Sequence, residues 1–203
     1  MGFASRSVSV IRYRVKIEGE PPSWEVIHEG VRMGSFKEIE SSGDIVAIGW
    51  TSVEDFTDTE FARGTYTAAE YVTLAFRIDS VRVPAKALEL HTRTETRKLL
   101  EQTGRTRLSS AQRRELKESV QEKLRKQMLP NIQVFDLLWN TNDGIVYFGT
   151  HGIKARERME DHFKKCFGPS LIPLIPYLRA EEMLTDAADR RRLEELRPAI
   201  MTP

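Results

Sequence analysis

The chain predicts an α+β fold: a mainly antiparallel sheet with packed helices and a projecting basic helical hairpin. Three observations carry that reading. Segments with two-residue apolar alternation or dense β-branched and aromatic content lie on either side of a long central stretch with helical spacing. Basic residues concentrate in that central stretch. Between Arg82 and Lys126 stand 13 Lys/Arg and 6 Asp/Glu, a net of +7. The 203 residues carry 31 and 30 in all, so the remainder holds 18 basic and 24 acidic residues, a net of −6. A nearly neutral total thus hides a directional field able to attract a polyanion.

From Ile11 to Ile17, apolar residues alternate with Arg12, Arg14 and Lys16, predicting a strand with one buried face and one wet, positive face. Ser23 follows Pro21-Pro22 and caps a short helix over Trp24, Val26, Ile27 and Val31. Gly34 and Gly43 bracket a turn region. Ile45 to Trp50 predicts a second strand, Thr51 to Thr65 an acidic and Thr-rich loop, and Tyr71 to Ile78 a third, buried strand. Pro84 suits a first helical turn, and that helix runs to about Thr103 before Gly104 stops it. Ser109 and Gln112 form a capping box for a second helix. Its apolar stripe, Leu116, Val120, Leu124 and Met128, drifts by about 40° per step, so it is narrow and suits two helices leaning on each other.

Pro130 ends that helix. Val134 to Trp139 and Ile145 to Phe148 flank Asn140-Thr141-Asn142-Asp143-Gly144, a hairpin signal. A helix over Ile153 to Phe167 closes at Gly168-Pro169, Leu171 to Ile175 makes an edge strand because it contains Pro173, and Ala180 to Leu196 predicts one charged helix. Residues 1–83 and 131–178 therefore form an α+β body, 84–130 a helical arm and 179–203 a C-terminal helix and tail.

Composition bounds the function. With 40% hydrophobic and 30% charged residues the chain reads as a soluble globular protein. The lone cysteine, Cys166, excludes an intramolecular disulfide. Arg6, Arg12 and Arg14 interrupt the N-terminus, and no uncharged run approaches the roughly 20 residues of a membrane span. A cytoplasmic location is expected, with no membrane partner.

Catalytic constellations are absent. No Gly-rich phosphate loop with Lys, nucleophile elbow, His-Glu-x-x-His or Cys-x-x-Cys occurs. His28, His91, His151 and His162 lack metal-ligand spacing, and adjacent Asp161 and His162 point different ways on a helix. Glu54, Asp55, Asp58 and Glu60 form the one acidic cluster; a two-metal nuclease could use such oxygens, but a solvated loop is the plainer reading. Cys166 fits a half-buried core thiol better than an activated one. No catalytic residue, metal, cofactor or small-molecule substrate is expected.

The basic residues Arg105, Arg107, Arg113, Arg114, Lys117, Lys123, Arg125 and Lys126 lie on the hinge or second helix of the arm, and together they are the candidate DNA-binding set. Lysine and arginine neutralise phosphates and release condensed counterions. No stacking aromatic stands between Arg82 and Lys126, which argues against single-strand binding and points to contact with duplex backbone. The plainer alternative is a solvated helix with charges paired at i,i+4.

The order Ile48-Gly49-Trp50, Arg107-Leu108-Ser109, Arg114-Glu115-Leu116-Lys117-Glu118 and Met128-Leu129-Pro130 resembles the RdgC family of bacterial recombination-associated proteins. The likeness continues through Leu138-Trp139-Asn140, Asn142-Asp143-Gly144, the helix after Ile153, and Leu171-Ile172-Pro173-Leu174, spanning most of residues 1–178. The resemblance implies duplex DNA binding without strong sequence preference, restraint of recombinase access, and a ring-shaped homodimer with a positive central hole. The chain is shorter than is usual in that family and lacks most of its C-terminal part. At the arm's tip, Leu129-Pro130 precedes Asn131-Ile132-Gln133, where the family has Arg-Ala-Phe. The expected role is to modulate homologous recombination or nucleoid structure without enzymatic activity, and the expected partners are double-stranded DNA and a second copy of the chain, in a nucleoid-associated setting. A metal-dependent nuclease and a protein-interaction module, using the acidic remainder or the Ala180–Leu196 helix, are the alternatives.

Overall fold

The computed structural model describes Phe3 and residues 8–17, 19–39, 45–61, 66–150 and 152–197. Gly43, His151, the end of the loop beyond Phe61 and the extreme C-terminal tail fall outside these residues. The fold is α+β with an antiparallel sheet. Its strands are β1 (Ile11–Lys16), β2 (Val46–Thr51), β3 (Thr67–Ala68), β4 (Tyr71–Ser80), β5 (Asn131–Asn140), β6 (Ile145–Phe148) and β7 (Ser170–Pro173). They run in the order β2-β4-β5-β6-β1-β7, with the short β3 paired to β4. The helices are α1 (Trp24–Met33), α2 (Ala85–Thr103), α3 (Ser110–Arg125), α4 (Ile153–Phe167), α5 (Pro176–Met183) and α6 (Ala187–Glu195).

The β5–β6 hairpin forms where the sequence places it. Asn140 Oδ1 accepts from the backbone N–H groups of Asn142 (3.0 Å) and Asp143 (3.1 Å), and Gly144 takes φ +64°, a conformation that favours glycine. Pairing Asn140 with Ile145 then sets Trp139 against Val146 and Leu137 against Phe148, and these four side chains are buried. Strand β7 is the edge neighbour of β1, with Pro173 opposite Tyr13, so the missing proline N–H interrupts no central ladder.

Two compact units divide the chain. One comprises Met1–Ser35, Gly49–Phe76 and Val134–Pro203; the other comprises Phe36–Ile48 and Arg77–Gln133. In the first unit α4 places Ala155, Met159, Phe163 and Phe167 at four-residue intervals on its buried face. Trp139 meets Phe163 and Phe167 with ring centroids 5.1 and 5.3 Å apart, and Trp50 meets Phe76 at 5.2 Å. Each large buried ring contributes about 1.5–3 kcal/mol from area alone. The side chain of Tyr13 is fully buried; its hydroxyl donates to Glu160 Oε1 (2.7 Å) and accepts from Arg156 Nε (3.2 Å). Burial first, and the Glu160 hydrogen bond second, push that phenol well above its ordinary range.

Helix α1 starts at Ser23, whose hydroxyl accepts from Val26 N–H. It packs on α4 through two glycines one turn apart. A side chain at Gly30 would begin 2.5 Å from the Cys166 carbonyl oxygen, and one at Gly34 would overlap Cys166 Sγ and the Trp50 ring. The Gly34 carbonyl, left accessible, accepts from Trp50 N–H (2.8 Å) and His162 Nε2–H (3.0 Å). His162 is thus a structural tie, and desolvation lowers its pKa from the ordinary 6.5.

Several boundaries differ from the sequence expectation. Ala180 to Leu196 is two helices, because the Asp186 side chain caps Ala188 N–H and starts α6 afresh; Asp at that place competes better as a cap than as interior helix. Met183 is 71% exposed and belongs to no core. Helix α3 ends at Arg125, so Met128 continues the apolar stripe outside the helix, and Pro84 is the N-cap of α2, one position earlier than the first turn. Strand β5 begins at Asn131, directly after Pro130.

Gly34→Ala should cost about 1–3 kcal/mol through overpacking, read as a lowered urea midpoint, and Cys166→Ala in the same chain should restore part of it. Because the folded His162 pKa is depressed, its contribution is complete above about pH 6.5 and is lost as pH falls through the interval down to the folded value. Melting temperature should follow that slope, and His162→Gln should remove this step.

Candidate nucleic-acid interface

Helices α2 and α3 form a packed pair within the second compact unit. The chain between them turns at Gly104, in the left-handed region at φ +62°, which only glycine adopts without strain. Ser109 then closes the expected capping box: its Oγ accepts from Gln112 N–H at 3.2 Å, and Gln112 Oε1 accepts from Ser109 N–H at 3.1 Å. Leu108, Val120 and Leu124 are buried along the seam and Leu116 is half-buried. On α2 no residue is fully buried over 19 positions. The seam is narrow, as a four-residue stripe requires, and most of both helices' circumference is left to polar groups.

All eight sequence-derived basic residues are described, and they separate into two groups. Arg105 and Arg107 lie in the link, and Arg113, Arg114 and Lys117 on the first two turns of α3; all five are exposed. Lys123, Arg125 and Lys126 lie at the far end. At 1.5 Å per residue, Arg113 and Arg125 are about 18 Å apart along the axis.

Their electrostatic situations differ. Arg125 is half-buried and paired to Glu122 at 2.9 Å, and Lys126 reaches the same carboxylate at 3.8 Å. Arg114 meets Glu118 at 3.8 Å. These are the i,i+3 and i,i+4 pairs that the plainer reading expects, and exposed pairs of this kind contribute little stability. The side chains of Arg105, Arg107, Arg113, Lys117 and Lys123 make no ion pair or hydrogen bond with any described residue. Arg125 and Lys126 also line a concavity of about 340 Å³ with Arg77 and Asp79. Arg77 there donates to both Asp79 carboxylate oxygens, at 2.8 and 2.6 Å, and lies 4.2 Å from the centre of the Phe36 ring. Glu38, Asp79 and Glu122 match the three cations of this concavity, so it offers a polyanion no net attraction.

Helical geometry also spreads the charges. At about 100° per residue, Arg113, Lys117 and Lys123 border the apolar seam, Arg114 and Arg125 share the opposite flank, and Lys126 turns elsewhere. The link end is therefore the concentrated part: five cations and one carboxylate, Glu115, between Arg105 and Lys117.

A second basic concavity, about 290 Å³, lies in the other unit and includes Arg12, Arg14, Arg179 and Tyr147. Its signal in the sequence was the wet, positive face of β1; the arrival of Arg179 from α5 was not legible there. No acidic side chain lines it among the described residues.

The other candidates resolve into structure. Among the described residues no group of three or more His, Cys, Asp or Glu is placed to hold a metal. Asp55 Oδ1 accepts from Thr57 N–H at 2.9 Å, and Asp58 Oδ1 from Glu60 N–H at 3.1 Å, so these carboxylates fold their own loop. Cys166 is half-buried, and burial pushes its thiol up, the direction opposite to activation. Among the described residues no helix is long and apolar enough to cross a membrane. No protein-family model matches the chain, and no curated protein is significantly similar to it.

Leu124→Ala should lower stability by about 2–4 kcal/mol by opening the seam, whereas Arg113→Ala should stay within about 0.5 kcal/mol. Chemical denaturation of the two variants checks this separation of scaffold from surface.

Proposed function

We propose that this chain is a non-enzymatic, sequence-tolerant double-stranded DNA-binding protein that modulates homologous recombination by limiting recombinase access. The observation that carries this reading is the set of exposed cations at the link end of the α2–α3 pair, Arg105, Arg107, Arg113 and Lys117, none of which holds an ion pair among the described residues. With no ion pair among the described residues to break, these four side chains are available to a phosphate backbone. No aromatic lies among them to stack an unpaired base. The positive end of the α3 macrodipole adds to the same field. The resemblance to the RdgC family supports the biological setting: a bacterial, nucleoid-associated protein acting as a homodimer.

Duplex binding should weaken with salt at a log–log slope of about −4 to −6, as expected for five to seven phosphate contacts. Replacing Arg105, Arg107, Arg113 and Lys117 together by Ala should reduce the magnitude of that slope by about 3–4 and leave the fold intact. Replacing Arg125 and Lys126, already held by Glu122, should change it far less. Titration of one duplex at several salt concentrations, beside sedimentation for subunit number, makes the measurement. Salt-insensitive binding, or full binding by the quadruple variant, overturns the reading. Duplex cleavage with Mg²⁺ or Mn²⁺ would favour a nuclease instead.

A further inference from the structure

A third concavity, about 680 Å³, lies within the first compact unit and has a chemistry opposite to the basic surfaces. One wall is the outer face of α1, where Glu25, His28 and Glu29 follow at i, i+3 and i+4. The other is formed by Glu60, Phe61 and Tyr66. Tyr66 is the corner. Its ring stands at 73° to His28 with centroids 5.5 Å apart, and at 65° to Phe61 with centroids 5.1 Å apart. The Tyr66 hydroxyl hydrogen-bonds with His28 Nδ1, which holds the two rings in register. Phe61 occupies this place with φ +56°, a backbone state costly for a bulky residue.

Rings of Phe61 and Tyr66 line the concavity, and an aromatic face attracts a positive head group that reaches it. The carboxylates add charge of the right sign. Arg32 is bound to Glu29 at 2.6 Å, which leaves Glu25 and Glu60 without a cationic partner among the described residues. Glu25, Glu29 and Glu60 outnumber Arg32, the one Lys or Arg among the described lining residues, so the concavity favours a cation over an anion or a neutral group. We propose that this aromatic and acidic concavity binds an organic cation, an alkylammonium or guanidinium head group. The proposal is independent of DNA binding, because none of the arm's cations takes part.

The test uses the full chain and three probes: choline, its uncharged isostere 3,3-dimethylbutanol, and Nα-acetyl-arginine amide, followed by NMR shifts of the His28 and Tyr66 rings. Saturable binding of choline or of the arginine amide, with the uncharged isostere at least about fivefold weaker, supports the site. The tighter of the two cations identifies the source, a quaternary ammonium compound or a guanidinium of the kind a protein side chain carries. Glu25→Gln with Glu60→Gln alters exposed groups that hold no ion pair with a described residue, so the fold should persist; cation affinity should fall about tenfold. Tyr66→Leu should weaken binding similarly, whereas Tyr66→Phe should retain at least part of it. Equal binding of the uncharged isostere, unchanged affinity in the double Gln variant, or no saturable response to either cation overturns the proposal.

Discussion

The close approach of α1 to α4 is the constraint on which the first compact unit depends. Gly30 and Gly34 lack the atoms that would collide with the Cys166 carbonyl, its sulfur and the Trp50 ring. The resulting contact exposes one carbonyl, that of Gly34, to two donors at once: Trp50 N–H from β2 and the His162 imidazole from α4. A helix end, a strand and a second helix are therefore tied at one oxygen, beside the slab formed by Trp50, Phe76, Trp139, Phe163 and Phe167. Close packing of this kind tolerates little added volume. It also sets the rotation of α1, and thereby which residues face outward. Glu25, His28, Glu29 and Arg32 line a concavity because Ile27, Gly30 and Val31 are committed to the interior.

Charge is handled differently in the two units. On α2 and α3 many cations are neutralised locally, at i,i+3 or i,i+4, by Glu89, Glu95, Glu118 and Glu122. A count of net charge sees the excess but not its location. The excess is concentrated around the link, where Glu115 is the sole carboxylate between Arg105 and Lys117. The buried ion pair of Arg77 with Asp79 is satisfied on both carboxylate oxygens and stacked on Phe36, which allows a charged pair to remain under an open concavity. Two cation-rich surfaces and one carboxylate-rich, aromatic concavity therefore belong to the same nearly neutral chain.

Much of the fold was legible because its signals are local. The capping box at Ser109 and Gln112, the left-handed Gly104 and Gly144, and the Asn140 turn each depend on residues within a few positions of one another. Where local signals competed, the reading was less exact. Residues 180–196 have helical composition throughout, yet Asp186 satisfies a helix N-terminus better than a helix interior, and one helix became two. The short β3 carries too few residues to show any period. At the candidate interface, the identity of the basic residues was legible; which of them are already paired was not, because pairing depends on rotamers and burial.

Most helices and strands, the Ser23 and Ser109 caps, the turn glycines and the concentration of positive charge between Arg82 and Lys126 follow from the sequence alone, since periodicity, backbone preference and formal charge are properties of short stretches. Tertiary packing made Gly34 a packing residue, tied His162 to the Gly34 carbonyl and placed Arg125 in an internally balanced concavity. It alone brought Arg179 beside Arg12, and Phe61 and Tyr66 beside His28. These outcomes bring together residues up to 167 positions apart, and no spacing along the chain encodes which distant side chains will share one volume.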